Sequence, residues 1–121
     1  MTMMTDSFPD TELCSIEIEG PVARLTLTRP DVFNAMNIQM ISEIISLLDW
    51  TEKRSVARIG NLVDDSDNPY VRVLVLSGEG RHFCAGADIN MMRDAGAKSP
   101  EENRIDSERL DRLFNSLWAH P

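Results

Sequence analysis

Val71–Ser77 (VRVLVLS) is a nearly unbroken apolar run that stops at a glycine-rich stretch, Gly78–Asp88 (GEGRHFCAGAD). A short run rich in β-branched residues reads as a strand. One with so little polar surface is expected to be covered on both faces, as strands of parallel sheets are. The loop then leaves the strand's carboxyl end, where open α/β folds bind their ligands. A chain with this feature is constrained to an α/β class, and its chemistry is expected in that loop.

The preceding residues supply the partners. Ser15–Glu19 alternates polar and apolar, Gly20-Pro21 signals a turn, and Val22–Thr28 alternates again, which predicts a hairpin. Asn37 is placed to cap a helix whose apolar stripe is Ile38, Ile41, Ile44, Ile45 and Leu48. Val56, Ile59, Leu62 and Val63 extend that stripe, either in a second helix or in one long bent helix. Hairpin, helix and buried strand together suggest a ββα unit with a parallel crossover. Ile89–Asp94 predicts one or two helical turns. Ser99-Pro100-Glu101-Glu102 predicts a capped helix start, followed by a face of Leu110, Leu113, Phe114, Leu117 and Trp118 expected in a core or subunit contact. The chain divides into a flexible leader over 1–13, with no sorting signal, and one domain part over 14–121.

Composition excludes several classes. Twelve Lys+Arg against 20 Asp+Glu give a net charge of −8, which argues against a nucleic-acid binder. No apolar run approaches the roughly 18–20 residues of a membrane span. Two cysteines, Cys14 and Cys84, make neither a disulfide framework nor a zinc set, so a reducing cytoplasm is the expected compartment.

Within the loop, three motifs fail. A dinucleotide fingerprint needs Gly where Phe83 stands, a phosphate loop needs Lys where Ala87 stands, and no serine is placed for a nucleophile elbow. What remains is backbone. Ala87 sits at the entrance to a helical turn, where an N–H left free by the helix favours a negative oxygen. That would be half of an oxyanion hole; the plainer reading is a structural loop with Asp88 as helix cap. Cys84 lacks an orienting acid and reads as a small packed residue, and His82 has no second metal ligand at a suitable spacing. Arg29 and Arg81 are each read as a phosphate contact or a solvated cation. Met91 and Met92 are read as bordering an acyl pocket or as ordinary packing.

Two stretches resemble a known family. Arg24–Met36 (RLTLTRPDVFNAM) and Val71–Met92 (VRVLVLSGEGRHFCAGADINMM) are similar, in order, to the two N-terminal motifs of the crotonase, or enoyl-CoA hydratase/isomerase, superfamily. The resemblance implies a spiral of ββα units, of which this chain would be the N-terminal part. It implies that Ala87 gives a backbone N–H to a thioester carbonyl, that Ala85, Asp88 and Ile89 line the pantetheine channel, and that Val32, Phe33 and Ala35 meet the nucleotide end of CoA. The implied function is hydration of an enoyl-CoA, with CoA as part of the substrate and no metal or redox cofactor. The complete protein is expected to form a homotrimer or a dimer of trimers. The alternatives are another reaction of the superfamily (isomerisation, decarboxylation or thioester hydrolysis) or a non-catalytic CoA-binding or assembly module. The second oxyanion donor and the acid–base glutamates of the family belong to later motifs. No catalytic carboxylate is therefore transferred to this chain, and by itself it is expected to be inactive. The stretch between Asn34 and Val71 is longer than relatives suggest, with the excess inside Thr51–Asn68.

Overall fold

The computed structural model of the chain describes residues 8–55, 63–64 and 68–121. Its elements are β1 (Cys14–Glu19), β2 (Val22–Leu27), α1 (Ile38–Glu52), β3 (Val73–Gly78), α2 (Ile89–Ala95) and α3 (Pro100–Trp118). β1 and β2 form the expected antiparallel hairpin, with Cys14 opposite Leu27 and Glu19 opposite Val22. β3 lies parallel to β2, so the sheet order is β1-β2-β3. A parallel neighbour requires a crossover rather than a tight turn, and α1 lies within that crossover.

α1 starts where the sequence predicts. The Asn37 side chain accepts a hydrogen bond from Met40 N–H at 2.9 Å, satisfying one of the helix's free donors. Met40, Ile41, Ile44, Ile45, Leu47 and Leu48 are buried, and the cluster they form takes in Cys14, Leu25 and Leu27 from the hairpin and Leu113 from α3. The helix closes at Glu52; the proposed continuation of its stripe falls largely on residues 56–62, outside the described residues.

α3 opens with a complete capping box. Ser99 Oγ accepts from Glu102 N–H at 3.2 Å, and the Glu102 carboxylate accepts from Ser99 N–H at 3.1 Å. Its apolar face is only partly used. Leu113 is buried and Leu110 and Leu117 pack against the core, but Phe114 and Trp118 are exposed, Trp118 at 93%. The stripe expected in a core or subunit contact is therefore split: Leu110, Leu113 and Leu117 meet the core, and Phe114 and Trp118 stay exposed on the single chain.

β3 is the second departure. It was expected to be covered on both faces, yet Val73 is 49% exposed and the rest of the strand is half-buried. Alternation explains it. Leu74 and Leu76 pack against the core, while the opposite face and the free edge of β3 meet no other described strand.

The start of β1 is held by one carboxylate. Glu43 on α1 accepts from Glu12 N–H at 2.9 Å, Leu13 N–H at 2.8 Å and the Gln39 amide at 2.8 Å. The leader expected over 1–13 is thus tied down at its end, and Phe8 rests on the Trp50 ring at 4.6 Å between centroids; residues 1–7 lie outside the described residues. Burial pushes the Glu43 carboxyl up, but hydrogen bonds from Leu13, Gln39, Glu12 and Cys14 outweigh it and hold the group below its ordinary 4.5. A carboxylate depressed in the folded state stabilises the fold above its unfolded pKa, and that stability is lost as pH falls through the folded value. Stability is accordingly expected to fall below about pH 4.5, and Glu43→Gln to flatten that acid limb. Urea midpoints of both chains between pH 7 and pH 3 check this; parallel acid limbs would contradict it. The neighbouring Cys14 thiol is pushed up to about 12 by burial and by the Glu43 charge, so it is an inert packing group.

Candidate functional site

After β2 the chain makes a single 3₁₀ turn, Pro30–Val32, and then places Phe33 and Asn34 at φ 57 and 58. The left-handed region favours Asn among side-chain-bearing residues. It turns the Asn34 side chain inward, where it is fully buried. There its Oδ1 accepts from Arg29 N–H at 2.8 Å, and its Nδ2 donates to the carbonyls of Glu79 at 2.9 Å and His82 at 2.7 Å. One side chain therefore joins the turn after β2 to the glycine-rich loop after β3. Gly78 permits the approach: a Cβ there would lie 2.4 Å from the Phe83 carbonyl and 2.8 Å from Asn34 Nδ2.

Gly86 then redirects the loop at φ +107, a conformation that side chains resist. Its carbonyl accepts from Met36 N–H at 2.7 Å, and Asp88 N–H donates to the Met36 carbonyl at 2.8 Å. These two bonds form a parallel bridge that sets Ala87 opposite Met36. In such a bridge the middle residue's own N–H points away from the partner strand. The Ala87 N–H makes no hydrogen bond among the described residues. Ala87 lines a groove of about 490 Å³. The structure places Val32, Phe33, Ala35, Ala85, Ala87, Asp88 and Ile89, the seven residues to which the family resemblance assigns a CoA or thioester contact, around that groove, with Asp31 and Asn90.

Asp88 caps α2. Its Oδ1 accepts from Met91 N–H at 3.1 Å, and its Oδ2 pairs with Arg29 Nη2 at 3.1 Å. The Met91 amide first, then the Arg29 guanidinium, keep the carboxyl ionised below the usual carboxylate range despite its burial. The capping reading and the groove-lining position thus coincide in one residue. Arg29 also donates to the Ala35 carbonyl at 2.6 Å. It is not a solvated cation; it fastens two walls of the site. Arg81 is exposed. Met91 and Met92 do not line the Ala87 groove. They border a separate, mostly apolar cleft of about 250 Å³ with Ile38, Ile41 and Leu110. His82 sets its ring edge-on against Phe33 at 4.9 Å, and Cys84 packs against the core. Among the described residues no group of three His, Cys, Asp or Glu is placed to hold a metal, and no helix is long and apolar enough to cross a membrane.

Sequence reasoning missed the weight of Asn34 and of the Arg29–Asp88 pair. The available signal was an asparagine inside an otherwise apolar turn, the residue type that tolerates a left-handed backbone and bonds to main chain.

The family model described as enoyl-CoA hydratase/isomerase matches residues 22–117, most of the chain. The chain belongs to the enoyl-CoA hydratase/isomerase family. A peroxisomal Δ(3,5)-Δ(2,4)-dienoyl-CoA isomerase of Arabidopsis thaliana is 28% identical over 97% of this chain and 38% of its own length. A short-chain-enoyl-CoA hydratase of Clostridium acetobutylicum is 32% identical over 85% of this chain and 32% of its own. An enoyl-CoA hydratase structure from Shewanella pealeana superposes with a TM-score of 0.76 at 29% identity, covering 97% of this chain and 39% of the other. This enoyl-CoA hydratase/isomerase family chain thus spans under two-fifths of the length of these relatives, and its α/β fold is the N-terminal part of theirs.

Proposed function

We propose that this chain supplies the thioester-binding half of an acyl-CoA enzyme whose reaction is addition of water across the 2,3 double bond of an enoyl-CoA. The observation that carries the reading is the unpaired Ala87 N–H at the wall of an open groove. When water adds at C3, negative charge gathers on the thioester oxygen before C2 is protonated. A fixed amide aimed at that oxygen needs no reorganisation as the charge appears, and one such donor is worth roughly 3–4 kcal/mol of barrier. Ala85, Asp88 and Ile89 would flank the pantetheine arm, and Val32, Phe33 and Ala35 the nucleotide end. The exposed Phe33 and Ile89 give the groove apolar walls suited to such a ligand.

The acid–base carboxylates of the reaction are assigned to no residue here, since Asp88 is already committed to its cap and its ion pair. A complete protein, assembled as a trimer or a dimer of trimers, would bring them. Isomerisation and other superfamily reactions use the same half-site; product analysis separates them, since hydration consumes the double bond and isomerisation moves it.

The test is removal of the single amide. Ligation at Cys84 allows the Ala87 N–H to be replaced by an ester oxygen. Because that N–H bonds nothing within the described residues, the fold is expected to survive, with an unchanged circular dichroism spectrum. [1-¹³C]Crotonyl-CoA bound to the natural chain is expected to show a lowered carbonyl stretching frequency, and the ester chain to lose that shift. An identical stretch in both would defeat the proposal.

A further inference from the structure

Asp88 does two things that oppose each other. As the cap of α2 its carboxylate accepts from Met91 N–H and orders the turn that follows Ala87. As a carboxylate one residue from that donor, in the wall of the same groove, it repels any negative charge developing on a bound thioester oxygen. The side chains of Asp88 and Arg29 are only 10% and 17% exposed, so water screens that repulsion poorly. Arg29 lines a neighbouring cleft with Asn37, Gln39, Asp94 and Lys98; that cleft shares Asp88 and Asn90 with the groove, and Arg29 is not among the residues lining the groove.

Building on the function proposed above, we propose that Arg29 is a positioning residue that cancels the Asp88 charge, so that the carboxylate can cap α2 without opposing the oxyanion at Ala87. The guanidinium suits the task. It stays charged at every working pH, its Nη2 meets Asp88 Oδ2 at 3.1 Å, and its Nη1 is anchored on the Ala35 carbonyl at 2.6 Å.

The test reads the carbonyl stretch of [1-¹³C]crotonyl-CoA bound to the purified chain and to its variants, with a melting curve for each. Arg29→Gln is expected to lose more than half of the shift seen with the natural chain. The double variant Arg29→Gln with Asp88→Asn is expected to regain it, because both charges are gone and asparagine caps a helix as well as aspartate does. Asp88→Asn alone should shift at least as far as the natural chain, and Arg29→Lys should retain the shift. A clamp with a merely structural role predicts that the double variant is no better than Arg29→Gln. That result, or an undiminished shift in Arg29→Gln, overturns the proposal. Should Arg29→Gln fail to fold, a diminished shift in Arg29→Lys or Asp88→Asn overturns it. If the natural chain itself leaves the carbonyl unshifted, the Ala87 reading falls and this one with it; if the natural chain shifts it and Arg29→Gln does likewise, only the charge proposal falls.

Discussion

Asn34→Ala is expected to cost about 4 kcal/mol of folding stability. Asn34 is fully buried and serves three main-chain groups, the Arg29 N–H and the Glu79 and His82 carbonyls. Each buried polar group left without a partner costs roughly 1–3 kcal/mol. Alanine also sits poorly at φ 58, which adds about 1 kcal/mol. The total is a large share of the roughly 5–15 kcal/mol that holds a typical domain folded. Asn34→Gly separates the two causes, since glycine keeps the left-handed backbone but makes none of the bonds. It is expected to recover only the smaller, backbone part. Urea midpoints of the three chains measure this. Full recovery in the glycine variant would mean that the hydrogen bonds carry nothing, and the account of the loop's shape would fail.

Gly78→Ala is expected to cost about 3 kcal/mol, by crowding rather than by backbone strain. Its new Cβ would stand 2.4 Å from the Phe83 carbonyl and 2.9 Å from the His82 carbonyl. Both are backbone atoms of the glycine-rich loop, so relief requires the loop to move away from Asn34. Crotonyl-CoA binding should weaken along with stability. Gly20→Ala is the informative contrast. It lies at φ +56 in the hairpin turn with nothing within 4 Å of its Cβ, so it strains only the backbone and leaves the groove intact. Equal losses of binding in the two variants would refute the crowding argument.

The parts of the fold that were legible in the sequence are those fixed by local chemistry. The Gly20-Pro21 turn, the Asn37 cap of α1 and the Ser99–Glu102 box of α3 each depend on residues within a few positions of one another. Burial was less legible because it depends on what lies across the element. Nothing within Val73 itself says that it stands half exposed at a sheet edge, and nothing within Trp118 says that it lies on the uncovered face of α3. The seven groove residues came from resemblance to two family motifs, and the structure gathers them at one place. The Asn34 and Arg29 contacts escaped because they join segments up to 59 positions apart. Each of those residues reads locally as an ordinary turn residue or surface cation.

Every residue pair joining β2 to β3 is 51 positions apart, from Val22 with Val73 to Leu27 with Gly78, whereas the hairpin closes within 13, from Cys14 to Leu27. Closing a long stretch of chain costs entropy before any contact rewards it. Hairpin and α1 are therefore expected to assemble before β3 docks. The glycine-rich loop waits on that docking, since Glu79 N–H bonds the Leu27 carbonyl and Gly78 must reach Asn34. The groove lined by Ala87 is thus expected to form only after the sheet has closed and to be lost when the sheet opens.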